Sequence, residues 1–233
     1  MKNSILIVFA LLLLSIFNSC SIDDECLDST IRVKFEQERN GQNVSNGGGT
    51  TSSSEEKKYV DLGLPSGTLW AMTNLGAKSH EESGTYFQWG CVKGGDEWNP
   101  CKTFDFSIQN TKYDAAYVLW GSGWMIPNVE QANELCTYCT SEIVTEKGVN
   151  CYKMTSIKNG KSIYFPIAGY YYGTSNMITK TQYSALYWTS EPNLYFSDSY
   201  YEAKYLQIPQ GVDGTSTGMT KNSRLPIRAV KKR

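Results

Sequence analysis

The sequence predicts an α+β fold over residues 59–233, with one or two helices set against short, mainly antiparallel strands. Three observations predict it. One stretch carries a full helix-start signal. Several short aromatic or β-branched runs are separated by turn residues. Beyond Lys147 the helical period disappears and only strand-like patterns follow. No internal repeat is present.

The elements can be read in order. Tyr59-Val60-Asp61-Leu62 and Thr68-Leu69-Trp70-Ala71-Met72 read as strands around Leu64-Pro65-Ser66-Gly67, whose proline and glycine placement suits a type I turn, so a hairpin is expected. Gly84-Thr85-Tyr86-Phe87-Gln88-Trp89-Gly90 is aromatic and punctuated by glycine, and an irregular surface loop bracketed by cysteines follows to about Asn110. A short helix is expected from Asp114 through Ala115, Ala116, Val118 and Leu119. The stronger helix starts at Asn128, a good N-cap with Gln131 three residues on and Pro127 before it. Val129, Ala132, Leu135 and Cys139 then form one apolar stripe. Val149 to Ile157 and Ser162 to Tyr170 flank Lys158-Asn159-Gly160-Lys161, a strong hairpin signal. Later strands are expected at Ala185 to Trp188, Lys204 to Ile208 and Ile227 to Val230.

Ahead of this domain, Lys2 is followed by an apolar run from Ile5 to Leu14 and by small residues leading to Cys20. A basic start, a short apolar core and small residues before the cleavage point describe a secretory signal over residues 1–19, too short to span a bilayer comfortably. Asn18-Ser19-Cys20 resembles a bacterial lipobox, which implies lipidation of Cys20 and anchoring without a spanning helix. The alternative is an ordinary signal with a cysteine nearby. Ser21-Ile22-Asp23-Asp24-Glu25 resembles the surface-export signal of Bacteroidetes lipoproteins, implying an outer-membrane, surface-exposed location. The plainer reading is a solvated acidic run. Residues 20–58, rich in Asp, Glu, Gly, Ser, Thr and Asn, hold too little apolar surface to offset ordering entropy and read as a flexible tether. Within them, Ile31-Arg32-Val33-Lys34-Phe35 alternates as a strand would, and Asp28-Ser29-Thr30 resembles an O-glycosylation site of Bacteroidetes secreted proteins.

Without residues 1–19 about 210 residues remain, enough for one core plus a tail. A net charge of −1 carries no basic excess, so no nucleic-acid partner is expected, and the membrane is met through the lipid anchor alone. Aromatics make up 13% of the chain, with 16 Tyr and 6 Trp, which fits either half-exposed strand positions or a recognition surface. Of 7 cysteines, those other than Cys20 are an even set in a secreted chain: Cys26, Cys91, Cys101, Cys136, Cys139 and Cys151. The expected disulfides are Cys91 with Cys101, and Cys151 with either Cys136 or Cys139. Cys136-Thr-Tyr-Cys139 has redox spacing, but it lies late in a helix, far from the N-terminus that lowers a thiol pKa. The one histidine, His80, sits in a polar loop and reads as solvated. No metal site is expected.

Several segments, read in order, resemble the Fibrobacter succinogenes major paralogous domain family of Bacteroidetes and Fibrobacteres surface proteins. They are Val60 to Ala71, Tyr86-Phe87-Gln88-Trp89-Gly90, Asp114-Ala115-Ala116 with Trp120-Gly121 and Trp124-Met125-Ile126-Pro127, Phe165-Pro166-Ile167-Ala168-Gly169-Tyr170, Tyr187-Trp188-Thr189-Ser190-Glu191-Pro192, and Arg224 to Val230. The resemblance implies a C-type-lectin-like fold: a twisted antiparallel sheet with helices on one side and a long-loop region that carries ligands in relatives. Met125 stands where the family usually has Arg, and Ile227-Arg228-Ala229-Val230 where it has Val-Arg-Pro-Val.

The candidate ligand-binding residues lie between Tyr170 and Gly218: Tyr171, Tyr172, Asn176, Glu191, Asn193, Tyr195, Asp198, Tyr200, Tyr201 and Asp213. Tyrosines mixed with carboxylates and amides stack on and hydrogen-bond a sugar or a protein surface. Glu191-Pro192-Asn193 matches the calcium and mannose tripeptide of C-type lectins, but their Trp-Asn-Asp partner is missing and Asp213 is the one nearby substitute. No cofactor is expected, with Ca²⁺ the alternative. The C-terminal Tyr, Asn, Ser and Asp enrichment is similar to that of variable proteins of diversity-generating retroelements. The formylglycine-generating oxidases share the implied fold, but no cysteine stands in the C-terminal region where they keep their active pair, and His80 has no partner in the sequence for nucleophilic chemistry. The expectation is a non-enzymatic surface module that binds a glycan or protein ligand, with a structural subunit of a surface appendage or envelope complex, or a diversity-generating-retroelement variable protein, as the alternatives.

Overall fold

The computed structural model describes residues 58–95, 104–121, 123–194, 201–212 and 218–233. Residues 1–57, which hold the expected signal peptide, Cys20, Cys26, the Ile31–Phe35 run and all but the last residue of the expected tether, lie outside the described residues, as do Cys101, Tyr195, Asp198, Tyr200 and Asp213. What is described is mixed α and β, with four small antiparallel sheets and two helices. None of these helices is long and apolar enough to cross a membrane.

Strands β1 (Tyr59–Asp61) and β2 (Thr68–Ala71) form the expected hairpin, closed by the Gly67 amide donating to Leu64 O at 2.9 Å. Strand β13 (Val230–Lys232) pairs with the other edge of β2, so the two ends of the domain share one sheet. Helix α1 (Ala115–Trp120) starts at Asp114, whose carboxylate accepts from the Ala116 and Tyr117 amides. Helix α2 (Val129–Tyr138) starts at Asn128 with both halves of the capping box formed: Gln131 N donates to Asn128 Oδ1 at 2.8 Å, and Asn128 N to Gln131 Oε1 at 2.9 Å. Its stripe of Ala132 and Leu135 is fully buried.

The helix does not continue past Tyr138. The chain turns at Cys139 straight into β4 (Cys139–Glu146), which pairs along its whole length with β5 (Val149–Ser156), and β5 pairs with β6 (Ser162–Pro166). Ile143-Val144-Thr145 is β-branched and crowds a helix but suits a pleated strand, which corrects the helical reading of this stretch. Lys147 and Gly148, with φ of 48° and 85°, make the tight turn that follows. The β5–β6 hairpin forms as expected, although of Asn159 and Gly160 only the glycine takes positive φ.

Strand β3 (Tyr86–Gln88) pairs with β12 (Arg224–Pro226). β12 also meets β7 (Tyr170–Tyr171), and β7 pairs with β8 (Ile178–Thr179). The last sheet orders β11 (Gly218–Thr220), β10 (Glu202–Ile208) and β9 (Ala185–Pro192). The expected strand Ile227 to Val230 is instead split, with β12 ending at Pro226 and β13 starting at Val230. Residues between them are pinned by other means: Ile227 O accepts from Leu75 N and Ala229 O from Ala71 N.

Two apolar clusters make the core. One gathers Phe87, Trp89, Trp124, Trp188, Leu225 and Ile227; the other Leu62, Trp70, Leu135, Phe165, Tyr187 and Ile208. Trp89 and Trp188 are stitched reciprocally, Trp89 Nε1 donating to Thr189 O at 2.8 Å and Trp188 Nε1 to Phe87 O at 2.7 Å. The stretch expected at the surface before Asn110 contributes to this core through buried Cys91, Val92 and Ile108.

Two further expectations are corrected. Cys151 pairs with neither Cys136 nor Cys139; all three are thiols. Along the β4–β5 ladder Cys139 faces Ser156 and Cys151 faces Val144, an offset of five residues, or about 17 Å along a strand. A disulfide needs Cα atoms within roughly 7 Å. Cys136 instead packs beside Gly211. The Cys91–Cys101 pairing falls outside the described residues. His80 is not simply solvated: its ring lies 4.7 Å from that of Tyr164, and its Nε2 is 3.5 Å from a Glu146 oxygen.

Candidate ligand-binding face

The tight turn Thr220–Ser223 joins β11 to β12, with Ser223 N donating to Thr220 O at 2.8 Å. Two tyrosine-bearing segments are fastened to it from different parts of the chain. On one side, Lys221 N donates to Tyr201 O at 2.7 Å, which holds the start of β10. On the other, Gly173 N donates to Ser223 Oγ at 2.9 Å, and Arg224 Nη2 donates to Ser175 O at 2.7 Å and to Asn176 Oδ1 at 3.3 Å. The β7–β8 loop is therefore held by a guanidinium that is itself buried.

This anchoring separates scaffold from surface. Tyr171 is half-buried, its ring edge-on to Tyr86 at 5.1 Å and beneath the Arg224 guanidinium at 4.5 Å. Tyr86 is fixed in turn by its hydroxyl, which donates to Ala168 O at 2.7 Å. Tyr172, just past the end of β7, is 59% exposed. Across the turn Tyr201 is 66% exposed, and within the β7–β8 loop Met177 is 79% exposed. Gly169 makes the close approach that admits this hairpin: with φ of 71°, a Cβ there would meet Thr179 O at 2.5 Å.

The structure thus brings Tyr171, Tyr172, Asn176 and Tyr201 to one turn, with Tyr171 inside the scaffold and Tyr172 and Tyr201 outward. Glu191 and Asn193 serve elsewhere. Glu191 Oε2 accepts from Val129 N at 3.1 Å and from Ser190 Oγ at 3.2 Å, placing a carboxylate at the positive end of α2. Burial pushes that carboxyl above its ordinary range. Asn193 is buried, its Nδ2 donating to Glu202 Oε2 at 3.1 Å and its amide to Glu202 O at 3.0 Å. Among the described residues no three His, Cys, Asp or Glu side chains form a group able to hold a metal ion.

The residues that build the face, Lys221, Ser223 and Arg224, were not among those singled out in the sequence. Lys221-Asn222-Ser223-Arg224 reads as a polar turn, whereas Lys221, Ser223 and Arg224 are buried. Lys221 Nζ donates to Phe104 O at 2.6 Å and stands 4.8 Å from the Trp89 ring, and its burial pulls the amine down to about 8. The signal available was three polar residues before a short strand that starts with Arg224, which says turn but not burial. A separate shallow cleft of about 400 Å³, lined by Leu62, Gly63, Pro65, Tyr138, Ile157 and Lys158, shares no residue with this face. Comparison with family models, with curated proteins and with solved structures finds no match to this chain.

Proposed function

We propose that this chain is a surface lipoprotein, anchored in the outer membrane through Cys20, whose domain is a C-type-lectin-like module binding a glycan or protein ligand through Tyr172 and Tyr201. The observation that carries the reading is the pair of exposed tyrosines on two segments hydrogen-bonded to one turn. A tyrosine side chain has only two χ angles to freeze and so contributes contact area at low entropic cost, which is how recognition surfaces use it. The resemblance to the Fibrobacter succinogenes major paralogous domain family supports the fold assignment, as does the shared sheet of β1, β2 and β13 at the two ends of the domain. With Glu191 and Asn193 engaged in the scaffold, the ligand is recognised by stacking and hydrogen bonding rather than through calcium held by those two residues.

The test is a glycan array and a host-protein pull-down with the wild-type chain and with Tyr172→Ala/Tyr201→Ala. Specific binding that the double variant loses, with unchanged melting temperature, is the expected result. Equal binding by the two proteins refutes the assignment of the face.

A further inference from the structure

We propose that His80 is a pH-sensitive latch: on taking a proton it fastens the loop of residues 74–84, between β2 and β3, to the end of β4, and on losing the proton it loosens that loop. The imidazole stands between two carboxylates from different parts of the chain. Nδ1 is 3.8 Å from Glu81 Oε2, on the loop itself, and Nε2 is 3.5 Å from Glu146 Oε2, the last residue of β4. A neutral imidazole carries one N–H and can donate to one of them; only the imidazolium can donate to both. Both distances exceed an ordinary hydrogen bond, and a movement of roughly 1 Å would close them.

The surroundings favour the charged ring. His80 Nε2 and Glu81 Oε2 are buried atoms, so charge placed there is poorly screened. The ring lies 4.7 Å from that of Tyr164, whose π-system attracts a cation. Lys147 Nζ is 2.7 Å from Glu81 Oε1, and this hydrogen bond pulls the Glu81 carboxyl down to about 2, which keeps it anionic while Oε2 is left to His80. Glu82 lies near Lys147. Lys153 lies near Glu146 and Tyr164 but is paired with Glu142 at 2.9 Å. The Cys151 thiol, close to Glu81 and Glu146, is pushed by burial up to about 11 and stays neutral. With Lys147 on the far oxygen of Glu81 and Lys153 on Glu142, the ring faces net negative charge.

The latched loop rests on the hydrogen bonds of buried Arg228. Asn74 Oδ1 accepts from Arg228 Nε at 2.7 Å while Asn74 Nδ2 donates to Ser83 O at 2.9 Å, and Arg228 Nη2 donates to the backbone oxygen of Tyr164 at 2.8 Å. Thr85 N closes the loop on Leu75 O at 2.8 Å, and Glu82 N donates to Ser79 O at 3.3 Å within it. The sign follows from the donor count. The latched loop binds the proton more tightly than the loosened one, so closure is strongest at mildly acidic pH and is lost as pH rises through the histidine range.

Amide hydrogen exchange of the intact chain at Glu82 and Thr85 tests this, read as the rate in His80→Gln divided by the rate in wild type at the same pH. Intrinsic exchange and other titrating groups are common to both proteins and cancel, and His80 is the one histidine of the chain. The ratio is expected to be about tenfold at about pH 5.5 and near one at about pH 8, and Glu146→Gln should lose most of the protection that wild type has at the lower pH. An equal ratio at the two pH values overturns the proposal. So does a Glu146→Gln variant that exchanges as slowly as wild type at about pH 5.5.

Discussion

Arg228 illustrates at the scale of one residue how a buried charge is tolerated. Its guanidinium is fully buried, yet Nε donates to Asn74 Oδ1 at 2.7 Å, Nη1 to Ala71 O and Met72 O at 3.1 Å each, and Nη2 to Tyr164 O at 2.8 Å, over the Phe165 ring at 4.6 Å. Burial pulls its pKa down to about 10, still charged at neutral pH. Arg228→Ala strands those acceptors and should cost about 3 kcal/mol or more in urea denaturation, and Arg228→Lys, which cannot fork, nearly as much. Asp114 is the acidic counterpart, accepting from the amides of Asn110, Ala116, Tyr117 and Ile126. Burial outweighs these donors and pushes its carboxyl from 3.8 up to about 6. The folded state therefore holds the proton more tightly than the unfolded chain. Its contribution is full below the ordinary pKa and is lost as pH rises through the folded one, by about 3 kcal/mol in total. Asp114→Asn cannot titrate, so the stability advantage of wild type over this variant should be larger at about pH 4 than at about pH 7. Burial also pushes the Cys136 thiol up to about 12 and those of Cys139 and Cys151 up to about 11. These three should react with a thiol reagent at neutral pH far more slowly than a free cysteine in solution; fast labelling of Cys136 and Cys139 together would reopen an oxidoreductase reading.

At the scale of elements, α2 was legible because its start is chemical. Asn128 and Gln131 satisfy the first amides reciprocally, and the sequence spells that pair out. Asn128→Ala should cost about 1 kcal/mol. Glu191→Gln should cost less, and if Glu191 is purely a helix partner it should leave ligand affinity unchanged. The end of α2 was not legible, since helix and strand here join with no loop, and Cys139 satisfies both the helical stripe and the first position of β4. The hairpin behind it carried a readable mark, a glycine just after the β-branched run Ile143-Val144-Thr145. Gly148→Ala, at φ of 85°, should destabilise by roughly 1 kcal/mol. The candidate face was half legible. Tyrosine enrichment marked the region, but which tyrosines are exposed depends on where β7 ends and on Arg224, which contacts residues far away in the chain.

Over the whole molecule, the pattern of short runs and turn signals read correctly as α+β because each hairpin is local. The split of the C-terminal strand and the burial of Cys91, Val92 and Ile108 were not readable, since they depend on where sheets cross. The described domain has two apolar clusters, with Arg228 held between β2 and β6. The proposed face gathers at the β11–β12 turn, which shares no residue with the β1–β2 hairpin. The central claim is that Tyr172 and Tyr201 form one recognition surface, and the most direct test is titration of the ligand found on the array against Tyr172→Ala and Tyr201→Ala separately. Each substitution is predicted to weaken binding by about tenfold or more while leaving the melting temperature unchanged. Wild-type affinity in both variants would contradict the account.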